Sequence, residues 1–134
     1  MDPMPHITIE YSINVEEHHD IDALVSAAHK AALDHGLASP TALRTRAVAR
    51  THFRAMTGEP HFAFVAITCR VGPGRTQDEK SSFIEAILDA AVATLGQTPL
   101  AIAWSIELTE LDPALRINRN YVREAMQDTS SKDS

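Results

Sequence analysis

The chain has one cysteine, Cys69, among its 134 residues. A single cysteine cannot form an internal disulfide framework, so the sequence fits a reducing compartment. The chain also lacks an apolar run of about 18 residues that could span a membrane. It shows no basic-then-apolar leader of the kind that directs secretion. These absences together predict a cytoplasmic protein.

The chain also has fewer basic than acidic residues. Twelve Lys and Arg residues stand against 18 Asp and Glu residues, which gives a formal net charge of -6. Nucleic acids and acidic membrane surfaces both favour an excess of positive charge, so neither is predicted as a partner. Any anion site must therefore be local. The hydrophobic content of 44% is enough to build the core of one compact domain.

Metal-ligand spacings are missing as well. His18 and His19 are adjacent, but no third ligand follows at a spacing typical of zinc, and no cysteine assists them. The other histidines form no zinc spacing either. Cys69 lies in an apolar stretch and is expected to be a small buried residue, not a nucleophile. The sequence predicts no metal site.

The first half of the chain reads as strand, helix, strand. Ile7, Ile9 and Tyr11 alternate with polar residues, which predicts a strand with one buried face. A helix of about four turns follows, with Asp20 as its N-cap and Gly36 as its end. Residues 42–50 are predicted to form a second strand.

The second half repeats this order. Residues 61–71 are apolar on both faces, which predicts a strand inside the sheet. Thr76 and Glu79 form a capping-box pattern before an apolar helical stripe that ends near Gly96. Residues 100–108 alternate as a last strand. A short helix is predicted around residues 118–126.

The domain prediction is one α+β domain over residues 5–127, built from two βαβ halves at about 5–52 and 61–111. Four strands would form a mixed sheet with two helices on one face. We expect Ile102, Trp104 and other apolar groups to leave an apolar surface that a partner subunit covers. Residues 1–4 are interpreted as an extension from start-site choice or cloning, and residues 128–134 as a disordered tail. A ferredoxin-like fold has the same element order, so the order of elements alone does not separate the two folds.

Four stretches resemble the tautomerase superfamily, and most closely its 5-carboxymethyl-2-hydroxymuconate isomerase family. They are MPHITIEYSIN from Met4, ASPTALRTRAV from Ala38, FAFVAITCRVGPGRT from Phe62 and WSIELTELDPALRINRN from Trp104. The resemblance implies the tautomerase fold, a homotrimer, and no metal or organic cofactor. It also implies isomerisation of a dienol di- or tricarboxylate from homoprotocatechuate breakdown.

The resemblance further implies that Pro5 is a catalytic amino-terminal proline, exposed by removal of Met4. A free α-amino group titrates near 7.7 to 8.0, and desolvation or nearby guanidinium groups would lower its pKa toward neutrality. Such an amine is a general base at working pH. An internal proline nitrogen is an amide and has no usable lone pair, so this role requires a chain that begins at Pro5. Alternatively, Pro5 simply begins a strand.

Two arginines are the next candidates. The resemblance assigns Arg44, in SPTALR, and Arg75, in GPGR, to binding the substrate carboxylate and stabilising the developing oxyanion. A guanidinium group suits this role because its planar fork grips a carboxylate through two hydrogen bonds. Arg46 shares a strand face with Arg44 and is a further candidate for substrate binding, or else pairs with a surface acid.

Two other interpretations stay open at this point. One is a different tautomerase reaction, such as keto-enol tautomerisation of a 2-oxo acid or hydration of a haloacrylate. The other is a non-catalytic binding protein of the same fold, in which residues 1–4 block Pro5.

Overall fold

The computed structural model describes the backbone of residues 5–133 and the side chains of residues 5–127. The extension predicted at residues 1–4 and the last residue of the predicted tail lie outside this range. The strands are β1 (His6–Ser12), β2 (Arg44–Arg50), β3 (Phe62–Val71) and β4 (Ala101–Glu110). The helices are α1 (Ile21–His35), α2 (Gln77–Leu95) and α3 (Val122–Asp133), with 3-10 turns at Ile13–Val15 and Pro113–Leu115.

The four strands form one mixed sheet in the order β2-β1-β3-β4. β1 runs parallel to β2, with His6 opposite Arg44, and β3 runs parallel to β4. The two halves meet where β1 and β3 pair antiparallel, with His6 opposite Arg70. This arrangement confirms the predicted pair of βαβ halves and the interior position of β3.

Both predicted helix signals are confirmed. The Asp20 side chain accepts a hydrogen bond from the Ala23 amide, and α1 ends at Gly36 with φ of 90°, a left-handed conformation that glycine adopts without steric cost. At α2, Thr76 and Glu79 form both bonds of the capping box. These caps define both ends of α1 and the start of α2.

The core lies between the sheet and the two long helices. Alternate residues of β1 and β3 point toward α1 and α2, because successive side chains of a strand point to opposite faces. The largest fully buried apolar side chains there include Ile7, Ile9, Val65, Ile67, Leu24, Phe83 and Ile87. The sheet face toward the helices is therefore the apolar one, and we call the opposite side the outer face.

The prediction of an apolar outer face that includes Ile102 and Trp104 is wrong. Trp104 pairs with buried Val65, and both β4 residues pack against the core on the helix side. The alternation of β4 places its large apolar residues on that face and its small or polar residues outside. Toward the Pro5 end, the outer face is polar and basic.

The C-terminal segment, residues 111–121, crosses from β4 to the start of β2. The Leu111 amide donates to the Val71 carbonyl, and the Asn120 side chain donates to the Thr41 carbonyl at 2.8 Å. Asn120 Oδ1 also accepts from the Val122 amide, which begins α3 four residues later than predicted. Residues 128–133 have helical backbone where the sequence indicated a disordered tail.

Candidate active site

Pro5 lies at the end of the sheet where β1 and β2 begin and β3 ends. It directly precedes β1, and its side chain is fully buried. Its carbonyl accepts a hydrogen bond from the Arg44 amide at 3.2 Å. On the other side of β1, β3 ends at Val71 and leads into the loop that carries Arg75. The fold therefore brings the three candidate segments to one end of the sheet.

Arg44 points to the outer face of the sheet. Its neighbour Thr45 bonds His29 of α1 on the helix side, so the alternation of β2 directs Arg44 away from the helices. Arg44 is half-buried, with one guanidinium nitrogen 3.2 Å from His6 Nε2. Another guanidinium nitrogen donates to Asn118 Oδ1 at 3.5 Å.

Arg75 lies on the helix side of the same end. Gly74 has φ of 106°, a conformation that favours glycine and sets the direction of the chain into Arg75. The Arg75 guanidinium donates to the carbonyl of Leu37, just after α1, at 3.2 Å. This contact fixes one N–H of the fork beside the N-terminus of α2, whose dipole favours an anion.

The two predicted arginines therefore flank Pro5 from opposite faces of the sheet. Arg44 follows the outer-face alternation of β2, whereas Arg75 follows the end of β3 and contacts the helix layer. This placement does not favour one ligand group that contacts both guanidinium groups of the same chain. A site that uses both of them fits an assembly of several chains.

Arg46 and His6 extend the outer-face group. Arg46 Nη1 lies 3.2 Å from His6 Nδ1. Burial lowers the pKa of His6 below its usual 6.5, and the positive charges of the surrounding arginines lower it further. In decreasing order of effect those arginines are Arg44, Arg46, Arg70 and Arg116.

Sequence reasoning did not find His6, Arg70 and Arg116 as parts of this group. A signal for His6 was present, because the alternation that buries Ile7 directs His6 to the face shared by Arg44 and Arg46. Placing Arg70 near His6 requires the antiparallel register of β1 and β3, and placing Arg116 there requires the path of the C-terminal segment. Neither is visible in local sequence.

Other candidate chemistries receive no support from the described residues. Burial raises the pKa of the Cys69 thiol to about 12, so it stays protonated and is a poor nucleophile. Within residues 5–127, no group of three or more His, Cys, Asp or Glu side chains is placed to hold a metal ion. None of the helices in the described part of the chain is long and apolar enough to cross a membrane.

A family profile described as 5-carboxymethyl-2-hydroxymuconate isomerase matches residues 5–126, nearly the whole chain. The chain belongs to the 5-carboxymethyl-2-hydroxymuconate isomerase family. This assignment confirms the predicted resemblance to the tautomerase superfamily and the predicted isomerase class. The match begins at Pro5 and includes the three arginines predicted for the site.

Individual proteins resemble the chain over almost its full length. The 5-carboxymethyl-2-hydroxymuconate Delta-isomerase of Escherichia coli is 26% identical over 89% of this chain and 96% of its own. A crystal structure of the Deinococcus radiodurans R1 isomerase superposes with a TM-score of 0.79 at 24% identity, covering 94% and 96% of the two chains. A fused 4-OT symmetric trimer superposes with a TM-score of 0.62 at 19% identity, covering 90% and 98%. The predicted α+β fold is thereby confirmed.

Proposed function

We propose that the chain isomerises 5-carboxymethyl-2-hydroxymuconate, an unsaturated dienol carboxylate, with Pro5 as the proton-transferring base and without a cofactor. The observation that carries the proposal is the family match over residues 5–126. The structure supports the assignment of Pro5, because this residue is buried at the sheet end between the segments of Arg44 and Arg75.

The reaction needs one proton to move and no electron acceptor. A base removes the proton from the hydroxyl end of the dienol, electrons shift along the conjugated carbons, and the same proton returns to the far carbon. The amine of a chain that begins at Pro5 can do both steps. Desolvation of that amine would disfavour the protonated ammonium form, and nearby guanidinium charge acts in the same direction.

Arg44 and Arg75 hold the substrate carboxylates in this proposal and stabilise the negative charge that moves toward the acceptor end. Both are half-buried, where a guanidinium–carboxylate pair is less screened by water than at a fully exposed site. Because they lie on opposite sides of the sheet end, we assign the two arginines of one active site to neighbouring chains.

That assignment requires an oligomer, which we propose is a homotrimer, and the exposed apolar residues of the C-terminal segment support association. Leu115, Ile117 and Tyr121 are exposed by 83%, 84% and 71%, an unusual state for such side chains in one short segment. A neighbouring chain that covers them would also bring its own arginines near. We place the reaction in cytoplasmic aromatic catabolism, on the homoprotocatechuate route.

The test compares two forms of the protein whose first residues are verified by intact mass. One form begins at Pro5 and the other keeps residues 1–4. The form with the free amine is expected to turn over 5-carboxymethyl-2-hydroxymuconate roughly 10² to 10⁴ times faster, the usual contribution of a general base. Pro5→Ala in the shorter form is expected to lose most of that rate, while its circular dichroism spectrum stays unchanged.

Equal turnover by the two forms would contradict the role of Pro5, since the extended form has an amide at that position. Turnover of 2-oxo acids or haloacrylates in place of the muconate would move the chain to another tautomerase activity. Ligand binding without turnover by either form would favour the non-catalytic interpretation.

A further inference from the structure

The imidazole of His6 is held between two groups that can only donate hydrogen bonds. Arg44 Nη1 lies 3.2 Å from Nε2, and Arg46 Nη1 lies 3.2 Å from Nδ1. A neutral imidazole has one acceptor nitrogen and one N–H, and a protonated one has two N–H groups. At most one of the two contacts is therefore a hydrogen bond. At the other, donor faces donor.

Positive charge approaches the same ring from every element packed around it. β2 contributes Arg44 and Arg46, β3 contributes Arg70 directly opposite His6, and the C-terminal segment contributes Arg116. On β1 itself, the next outer-face residues are Thr8, which is uncharged, and Glu10, which is paired with Arg50. We call His6, Arg44, Arg46, Arg70 and Arg116 the basic cluster.

Such a cluster is costly without an anion, because like charges at close range repel. A carboxylate removes both the donor–donor contact at His6 and the repulsion among the positive charges. Its two oxygens accept from guanidinium N–H groups and from the N–H of His6, and its charge offsets the repulsion. In the single chain the cluster is half-buried to exposed, which leaves it open to a ligand.

We propose that the basic cluster is a second carboxylate subsite, which binds the carboxymethyl group of the substrate and so selects tricarboxylates over dicarboxylates. This inference rests on the proposed function. A muconate has two carboxylates, and a carboxymethyl substituent adds a third. Arg44 belongs both to the cluster and to the proposed active site, so the subsite adjoins the reacting diene. His6, Arg46, Arg70 and Arg116 are its specificity-determining residues.

The kinetic test uses Arg70→Ala and Arg116→Ala with two substrates, 5-carboxymethyl-2-hydroxymuconate and 2-hydroxymuconate, which lacks the third carboxylate. Each variant is expected to raise KM for the tricarboxylate roughly ten- to hundredfold, the range for a lost charge-assisted hydrogen bond, and to leave kcat and the KM for the dicarboxylate within about twofold. Arg54→Ala is the matched control, because Arg54 is exposed and bonds the Phe53 carbonyl in the loop at the other end of the sheet. Equal changes with both substrates, or none with either, would overturn the proposal.

A binding test is independent of turnover. The His6 ring signals of the Pro5→Ala protein are followed by NMR while propane-1,2,3-tricarboxylate is added. A saturable shift with a raised His6 pKa, both lost in Arg70→Ala, supports the subsite even if neither muconate is a substrate. An unmoved His6 signal would overturn it even if the isomerase activity is found. The two proposals can therefore fail separately.

Discussion

His6 shows how a single residue senses the charge around it. Burial and four guanidinium groups lower its pKa below 6.5 in the folded chain. The unfolded chain holds its histidine at an ordinary pKa, so it binds a proton more readily than the folded chain does. Protonation therefore favours unfolding, and the stability that His6 contributes is present above about pH 6.5 and is lost as the pH falls.

We predict that replacing His6 weakens this dependence on pH. His6→Gln removes the titration, so the fall in Tm between pH 8 and pH 5 is expected to be smaller in the variant than in the unchanged protein. Differential scanning calorimetry at both pH values measures it, and His52→Gln, in an exposed loop, is the control. Propane-1,2,3-tricarboxylate should protect the unchanged protein most at pH 5. An identical fall in Tm with and without His6 would contradict the linkage.

The candidate site could be predicted from the sequence only where its residues lie in local motifs. Pro5, Arg44 and Arg75 could be proposed for it because each lies in a recognisable stretch. The sequence offers His6 only as a possible metal ligand, because the alternation of β1 indicates the sheet face of its side chain but not the residues that it contacts there. Its partners are 38 to 110 positions away in sequence, and strand register and the return of the C-terminal segment bring them together.

At the scale of elements, the start of α2 combines a helix cap with a residue that we propose for the site. Thr76 and Glu79 satisfy the first amides of the helix, and Arg75 precedes them with its guanidinium on the Leu37 carbonyl. The two neighbours have different tasks, since one caps the helix and the other is assigned to the substrate. Substitutions at adjacent positions can therefore separate folding from function.

Thr76→Ala is expected to lower the free energy of unfolding by about 1 kcal/mol, because it removes the side-chain acceptor of the capping box. Its kcat/KM should stay within about twofold of the unchanged protein. Arg75→Ala is expected to behave in the opposite way, with a kcat/KM lower by roughly tenfold or more and little change in stability. Urea unfolding and steady-state kinetics on both variants measure this. Equal kinetic losses in both variants would remove Arg75 from the site.

The elements themselves were largely predictable because their signals are local. Alternation located β1 and β4, caps located α1 and α2, and the doubly apolar β3 proved to be interior. The face taken by Ile102 and Trp104 was predicted wrongly, because alternation says that a strand has two faces but not which one the helices cover. The start of α3 was missed because Asn120 caps it while holding Thr41, a contact across the fold.

At the scale of the molecule, an acidic chain keeps a basic face at the Pro5 end of its sheet. A net charge of -6 disfavours anions in general, so the four arginines around His6 must act over a short range. Salt screens charges beyond about 8 to 10 Å, whereas the contacts at His6 are much closer. Selectivity for a small polycarboxylate then depends on local geometry and not on the field of the whole protein.

The exposed C-terminal segment gives the last prediction, which concerns assembly. Each large apolar side chain that a partner covers contributes about 1.5–3 kcal/mol, so Leu115 and Ile117 together can decide whether chains associate. Sedimentation equilibrium is expected to give three times the 14.7 kDa chain mass for the unchanged protein. Leu115→Ser combined with Ile117→Ser should lower that mass and, because we assign the arginines of one site to neighbouring chains, reduce turnover in parallel. Met56→Ser is the control, since Met56 is also exposed but lies in the loop at the other end of the sheet. A monomeric mass with full activity would show that one chain builds the whole site.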